Sequence, residues 1–397
     1  MHKERVKIIH DYLEEHNLSA LVLYRPEALV MSMGYHPHMG LGMAVFYRNH
    51  GPILYVSEYE PLDRILDEQP DIKKINFQMG TDAMGAFMNT IKADFNQYGN
   101  HTLPVGLVKD ASQVSITGTV AEGLPFTNEW LEGLESLSKA GYVDISHSIQ
   151  QIFAYKTKRD IEHIKKVFEV TQKGIDAFYG QLKAGQTEIS IKACIEYAIT
   201  LEGNRDDVFM ASGFAQVQAG QHTTMSGRYN MATGNVLQEG DFVLLELAVC
   251  VNGYWCDITR TGYVGTPTQQ AEAMYQIIKK AQMQAIAKLR AGVACSEIYD
   301  EAMNVIKEAG YEANFTHALG HGVGFRYHDY TPVIGPDNHQ VLKEGMVITI
   351  EPGIYGDAIG GGIRIEDNVV ILKDGCNILS GPLRSGLKGL DEEAVHE

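Results

Sequence analysis

The chain has 397 residues, 45% hydrophobic and 21% charged, with a formal net charge of −17 at pH 7. That length exceeds what one core usually supports, so two domains are expected, and the acidic surplus repels nucleic acid and anionic membrane with no basic patch to override it. No run reaches the roughly 18 apolar residues of a membrane span, and five cysteines without a CxxC fit reduced thiols in an intracellular, cytoplasmic protein, a Cys250–Cys256 bridge being the alternative.

The first stretch, "MHKERVKIIHDYLEEHNLSALVLY", is charged throughout its start and has no apolar core of a signal peptide. Val6, Ile9 and Leu13 recur at helical spacing, and Asn17 stops that helix before the strand "ALVLY". Strand-like "MAVFYR" and "PILYVS" follow the turn-rich "GYHPHMGLG"; a helical stretch around Met84 to Phe95 and the strand "LPVGLV" come later. These predict an α/β domain over residues 1–155.

A lysine-rich amphipathic helix opens the second domain, residues 156–397, with Ile161, Ile164, Val167 and Val170 on one stripe. Helical "EISIKACIEYAITLEG", strand-like "VFMASG" and helical "AEAMYQIIKKAQMQAIAKL" continue it, and the remainder reads as strands with glycine-rich turns and a polar tail, "GLKGLDEEAVHE". Helices on one face of an antiparallel sheet make this domain α+β.

"DFVLLELAVCVNGYWCDITRTGYV" joins two β-rich runs at Asn252-Gly253, the dipeptide most strongly disposed to a two-residue hairpin. That turn sets Asp257 opposite Ala248 and Thr259 opposite Glu246, so Glu246 and Asp257 share a face as diagonal neighbours, their Cβ atoms about 7 Å apart. Two acids there repel and lose hydration unless a cation lies between them or the face is open to water. Glu351 ends the strand of "EGMVITIEPGIY", and in "GGGIRIEDNVVI" alternation places Arg364 and Glu366 on one side, where they can pair.

In "HALGHGVGFRYHD" the glycines disfavour a helix, and the glutamate of a zincin helix is missing after His317. The run is therefore extended, with His317 and His321 on one face and His328 joining them only if the chain bends. Each histidine alone is more often a hydrogen-bonded structural residue than a ligand; beside four strand-borne acids the ligand role gains weight. No GxSxG and no evident cysteine nucleophile motif are present.

Taken in order, "LLELAVCVNGYWCDITRTG", "HALGHGVGFRYHD", "EGMVITIEPGIY" and "GGIRIEDNVVI" resemble the creatinase, aminopeptidase P and prolidase family, the pita-bread metallohydrolases. The likeness is close from about Lys156 to Leu379 and loose before it. It implies a pita-bread catalytic domain with helices on a curved antiparallel sheet, preceded by a smaller α/β creatinase-like domain. The family's metal ligands carry over to Glu246, Asp257, His321, Glu351 and Glu366, with Glu246 standing where the family has aspartate. His317 and His328 match the family's substrate-handling histidines, His222 in "AGQHTTMSGR" matches a further one across a longer segment, and Arg364 matches an arginine that supports the ligands.

Four carboxylates balance two divalent cations, and an oxygen-rich set with one imidazole suits manganese, iron or cobalt at least as well as zinc. Such a pair lowers the pKa of a shared water and presents hydroxide to a carbonyl carbon, with Glu351 handling its proton. The resemblance thus implies an Xaa-Pro dipeptidase or aminopeptidase acting on a small peptide or small amide, as a homodimer; a loop carrying His36 and His38 could reach a neighbour's site or be a simple turn. The alternatives are a creatinase-like or ectoine hydrolase-like C–N hydrolase, a dimethylsulfoniopropionate lyase, or an inactive binding module.

Overall fold

The chain divides into two units, Met1–Phe153 and Ala154–Glu397; the computed structural model describes residues 3–38, 42–61, 71–77, 82–109, 128–226 and 232–389. Met39, Gly40 and Leu41 of the "GYHPHMGLG" turn, and the polar tail beyond residue 389, lie outside the described residues. Among the described residues no helix is long and apolar enough to cross a membrane.

The first unit runs α1 (Lys3–Glu15), β1 (Ala20–Leu23), α2 (Pro26–Met33), β2 (Gly42–Tyr47), β3 (Ile53–Ser57), β4 (Asp71–Ile75), α3 (Ala83–Tyr98), β5 (Val105–Leu107), α4 (Asn128–Glu135), β6 (Tyr142–Asp144) and α5 (Gln150–Ala154). Asn17 takes a positive φ of 50° and so ends the first helix as its position predicts. The strands form one sheet in the order β4-β3-β2-β1-β5-β6. β1, β2 and β3 are antiparallel to one another in turn, and the outer strands join parallel. All residues of β1, β2 and β3 are buried, which matches their continuous apolar runs rather than an alternating pattern.

The second unit runs α6 (Lys158–Gly180), α7 (Glu188–Leu201), β7 (Ala211–Ala219), β8 (Phe242–Val251), β9 (Tyr254–Tyr263), α8 (Gln269–Lys288), α9 (Cys295–Glu308), β10 (Gly320–His321), β11 (Val333–Ile334), β12 (Val347–Ile350), β13 (Gly353–Gly356), β14 (Gly361–Arg364), β15 (Asp367–Ile371) and β16 (Cys376–Ile378). Thr157 caps α6 with a reciprocal Asp160 bond, and Ile164, Val167 and Val170 turn their stripe inward. Helix α9 is absent from the expected elements. Its Cys295, Ile298, Ala302, Val305 and Ile306 are buried at helical spacing, but the small residues among them weaken the apolar pattern.

The β8–β9 hairpin has the expected register, Glu246 opposite Thr259 and Ala248 opposite Asp257. Asn252 and Gly253 take φ of 53° and 91°, the pair of left-handed residues that a tight hairpin turn needs. That register pairs Cys256 with Val249, so Cys250 and Cys256 point to opposite faces and stay free thiols. β7 adds Gln216 beside Glu246 on the same face.

The strand expected through Glu366 is two strands. β12 pairs with β15, Ile350 opposite Asp367, while β13 pairs with β14, Gly353 opposite Arg364. Glu351-Pro352 and Ile365-Glu366 therefore face each other at a seam where one ladder hands over to the next. Proline supplies no N–H to continue the ladder, and the chain turns both glutamates out of regular pairing.

Candidate metal centre

Each acid of the centre reaches it from a different structural device. Asp257 projects from β9, and its own peptide is clamped by Asn368 of β15: the Asp257 N–H donates to Asn368 Oδ1 (3.3 Å) and Asn368 Nδ2 donates to the Asp257 carbonyl (2.6 Å). Glu366, at the seam, accepts from Thr259 Oγ1 (2.7 Å), which in turn accepts from Arg364 Nε (2.9 Å). One step along, Thr261 Oγ1 donates to the Arg364 carbonyl (2.8 Å) and accepts its N–H (3.0 Å). The alternating residues of "DITRT" thus zip β9 to the seam and fix two of the acids. Arg260, pointing the other way, closes a buried pair with Asp367 (2.9 Å).

The histidine segment bends as His328 requires. β10 is only two residues long and pairs with β11, and the chain then folds back so that the His321 and His328 rings lie 4.1 Å apart between centroids. Gly320 and Gly322 permit this close approach, because a Cβ at Gly320 would stand 2.0 Å from the Thr349 carbonyl oxygen and one at Gly322 2.4 Å from that of Thr331. Their role is tight backbone packing against neighbouring chain.

His321 Nδ1 hydrogen-bonds the Gly322 carbonyl (2.9 Å), which makes Nδ1 the protonated nitrogen and leaves the Nε2 lone pair for a cation. That Nε2 lies 3.4 Å from Glu351 Oε1 and 3.6 Å from Asp257 Oδ2, and His328 Nε2 lies 3.3 Å from the same Asp257 oxygen. Two overlapping groups result, Asp257–His321–His328 and His321–Glu351–Glu366, each with ligand atoms within 4.8 Å of one another. Burial, reinforced by His328, pushes His321 down to about 3, so its imidazole is neutral and able to ligate.

The electrostatics call for a cation. Burial, then the charges of Glu246 and Glu351, raise Asp257 well above the usual carboxylate range; burial and Glu366 do the same to Glu351, and burial and Asp257 to Glu366. Asp257 Oδ1 and Glu366 Oε1 are sealed from solvent with no hydrogen-bond partner. Buried carboxylate oxygens without donors, beside a neutral imidazole lone pair, fit a divalent ion.

Glu246 stands apart from both groups. Arg364 Nη2 forms an ion pair with Glu246 Oε2, and Gln216 Nε2 donates to Oε1 (3.3 Å). The Arg364–Glu366 pair predicted from alternation does not form, because the strand breaks after Arg364 and the side chain turns toward Glu246, with Glu351 Oε2 at 3.9 Å. Arg364 Nη1 also donates to Tyr355 Oη (3.0 Å), and Tyr355 Oη contacts His317 Nε2 (2.9 Å). Because His317 Nδ1 bonds the Ala318 carbonyl (2.7 Å), the tyrosine is the donor in that contact. Burial and Arg364 push His317 down to about 4.

His222 lies on the short 3-10 turn Gly220–Thr224 after β7. Its Nδ1 bonds Glu188 Oε1 (2.8 Å), not one of the four acids of the centre. The same turn docks on β14, where Thr223 Oγ1 accepts the Gly362 N–H (2.8 Å). Tyr355, Asn368, Thr259, Gln216 and Glu188 escape the sequence pattern. Thr259 had a readable signal, its position opposite Glu246 in the hairpin, and alternation set Asn368 on the face of Glu366 without giving its role.

The metallopeptidase family M24 model matches residues 162–373. The Xaa-Pro dipeptidase of Pyrococcus furiosus is 32% identical over 274 residues, 69% of this chain and 75% of that protein. The Xaa-Pro dipeptidase of Pyrococcus horikoshii is 27% identical over 380 residues, 95% of this chain and 97% of that protein. Among solved structures, the prolidase from Pyrococcus furiosus superposes with a TM-score of 0.73 at 27% identity, covering 94% of this chain and 98% of that one. The match spans the hairpin, the histidine segment and the seam that build the cluster, and the chain belongs to metallopeptidase family M24.

Proposed function

We propose that the protein is an Xaa-Pro dipeptidase or aminopeptidase P-like peptidase, which hydrolyses the amide bond before proline in a small peptide and holds two divalent ions, manganese foremost. The observation that carries this reading is the pair of donorless buried oxygens, Asp257 Oδ1 and Glu366 Oε1, beside the His321 lone pair. Asp257, His321, Glu351 and Glu366 are the ligands of first resort. Glu246 completes the set for the second ion, which binds more weakly because Arg364 and Gln216 already engage that carboxylate. When bound, the ions lower the pKa of a water and polarise the scissile carbonyl.

The chain's own groups supply the rest. Glu351, which as a ligand carboxylate would be ionised beside that water, would take the water's proton as it attacks. His328, with 46% of its side chain exposed, faces incoming substrate and delivers a proton to the departing amine. Tyr355, braced by Arg364, and His317 form a fixed hydrogen-bonded wall. Glu188 orients His222 through Nδ1, leaving Nε2 to meet substrate. A cytoplasmic homodimer completes the proposal, supported by the free cysteines and by the family resemblance.

Purified protein should contain Mn, Fe, Co or Zn by elemental analysis and hydrolyse Ala-Pro or Gly-Pro more rapidly after Mn(II) is added. Protein without any of these metals and with no gain of hydrolysis on Mn(II) sinks the proposal. A Glu351→Gln variant at full rate removes Glu351 as the base.

A further inference from the structure

The inward face of α8 is apolar apart from Tyr275 and Gln282, and Gln282 is only 1% exposed. An amide in such a stripe costs stability unless its polar atoms find partners. Gln282 Nε2 has two protons and uses both, donating to the Ile350 carbonyl (3.1 Å) and to Asp367 Oδ2 (3.0 Å). Both partners are acceptors, so the NH2 end of the amide must face them.

Those two acceptors flank the seam. Ile350 ends β12 just before Glu351, Asp367 opens β15 just after Glu366, and the two residues form the last pair of their ladder. Beyond that pair the glutamate peptides part company. The Glu351 N–H donates to the Leu319 carbonyl (2.8 Å) and the Glu366 N–H to the Thr259 carbonyl (3.1 Å), each toward a different neighbour. The backbone bond that crosses the gap, from the Ile365 N–H to the Pro352 carbonyl, is 3.4 Å long. Ladder bonds of ordinary length therefore do not set the spacing of the two glutamates.

Asp367 gathers the remaining contacts behind the gap. Its Oδ1 accepts from Arg260 Nη2 (2.9 Å) and Ser380 Oγ (2.7 Å), and Arg260 Nη1 donates onward to the Glu366 carbonyl (2.7 Å). Ser380 Oγ in turn accepts the Asn368 N–H (3.0 Å), and Asn368 is the residue that clamps the Asp257 peptide. Gln282, Asp367 and Arg260 are all buried, and Asp367 belongs to neither group of ligand atoms. A satisfied network of this kind holds its members in one arrangement, and removing one member leaves the others short of a partner.

We propose that Gln282 is a positioning residue: from behind the sheet its amide pins the two sides of the seam together and so fixes the spacing of Glu351 and Glu366 at which a divalent ion is held. Asp367 passes the same constraint to Arg260 and, through Ser380 and Asn368, to Asp257. Ligands held by such partners bind an ion without first being brought into place, and loss of a partner weakens the ion's binding. The inference rests on the reading of Glu351 and Glu366 as metal ligands and is independent of the peptide cleaved.

The test is calorimetric titration of the metal-free full chain with Mn(II), for the wild type, Gln282→Leu and Ile278→Ala. Leucine keeps the apolar stripe and removes both donors, whereas Ile278→Ala opens a void one turn away on the same buried face and leaves the pin in place. Loss of a partner that orients ligands costs about ten- to a hundredfold in metal affinity. Gln282→Leu should lose that factor, while Ile278→Ala should bind Mn(II) as the wild type does in spite of a lower urea midpoint. Wild-type affinity in Gln282→Leu makes the amide a plain strap between helix and sheet and overturns the proposal. An equal loss in Ile278→Ala also overturns it, because the effect then follows stability alone. If Gln282→Leu does not fold, Asp367→Asn decides by the same criteria, since its amide sets N–H against a donor at Gln282 or at Arg260. No peptide is turned over in these titrations. Mn(II) binding with the expected loss, but without cleavage of Ala-Pro, fails the Xaa-Pro reading and supports the pin; a wild type that binds no Mn(II) overturns the pin.

Discussion

Both units bury acids that the protein itself satisfies, and the second also buries a cluster that it does not. In the first, Asp94 of α3 accepts from Tyr55 Oη (2.7 Å) and pairs with Lys73 (2.6 Å), so each carboxylate oxygen has a donor from the protein itself. In the second, Asp257, Glu351 and Glu366 crowd around one neutral histidine, and two of their oxygens have no donor. A completed network stabilises a core, whereas an uncompensated one is maintained against its cost by what it binds. The difference is the one expected between a structural acid and an acid that binds a cation, and it needs no reference to any motif.

Stripping metal should break the contrast most severely. Chelation should reduce peptide hydrolysis to background, and restoring Mn(II) to about 100 times its dissociation constant should stabilise the fold by about 2.7 kcal/mol, read as a shift in the urea midpoint. The metal-free protein should also lose stability as pH rises. The three acids are raised by burial and by one another in the folded state, so between the ordinary carboxylate range and those raised values the folded chain binds more protons than the unfolded one. Their contribution is complete below the ordinary range and is lost as pH climbs through the raised values. A metal-free urea midpoint that rises over that interval contradicts the uncompensated cluster.

Next in size is Lys156→Met, which leaves Asp329 buried without its cation and should cost about 3–5 kcal/mol. Because Asp329 anchors the turn that presents His328, kcat should fall as well, and Asp329→Leu added to Lys156→Met should recover much of the stability and little of the rate. Asn368→Ala removes both bonds to the Asp257 peptide, at about 1–3 kcal/mol, and should weaken Mn(II) binding by about ten- to a hundredfold in calorimetric titration. Unchanged metal affinity would show that Asn368 only joins strands. Smallest is Asp94→Asn: Lys73 is 36% exposed, so roughly 1 kcal/mol is expected, with metal content and kcat/KM as in wild type.

The β8–β9 register was legible because Asn252-Gly253 dictates a two-residue turn and every pairing follows from it. The long helix α6 was legible from its stripe. What failed was alternation across Arg364–Glu366, since period-two reasoning holds within one ladder and the chain changes ladders there. The histidine segment was half legible: glycines excluded a helix, but the return of His328 to His321 depends on backbone contacts with Thr349 and Thr331 that no local pattern encodes. Helix α9 was hidden by small residues.

The seam that sets Glu351 opposite Glu366 also has a consequence for how the molecule is made. The cluster draws on β9, β10 with the segment after it, and both sides of the seam, positions spread from Asp257 to Glu366, so no shorter fragment holds it and loop closure must be complete before its donors meet. A cation that needs all of them cannot bind an early intermediate; it fastens only the finished domain. Metal supplied during refolding should leave the folding arm unchanged and slow the unfolding arm, so that it acts as a latch on the closed structure and leaves its nucleus to the apolar strands.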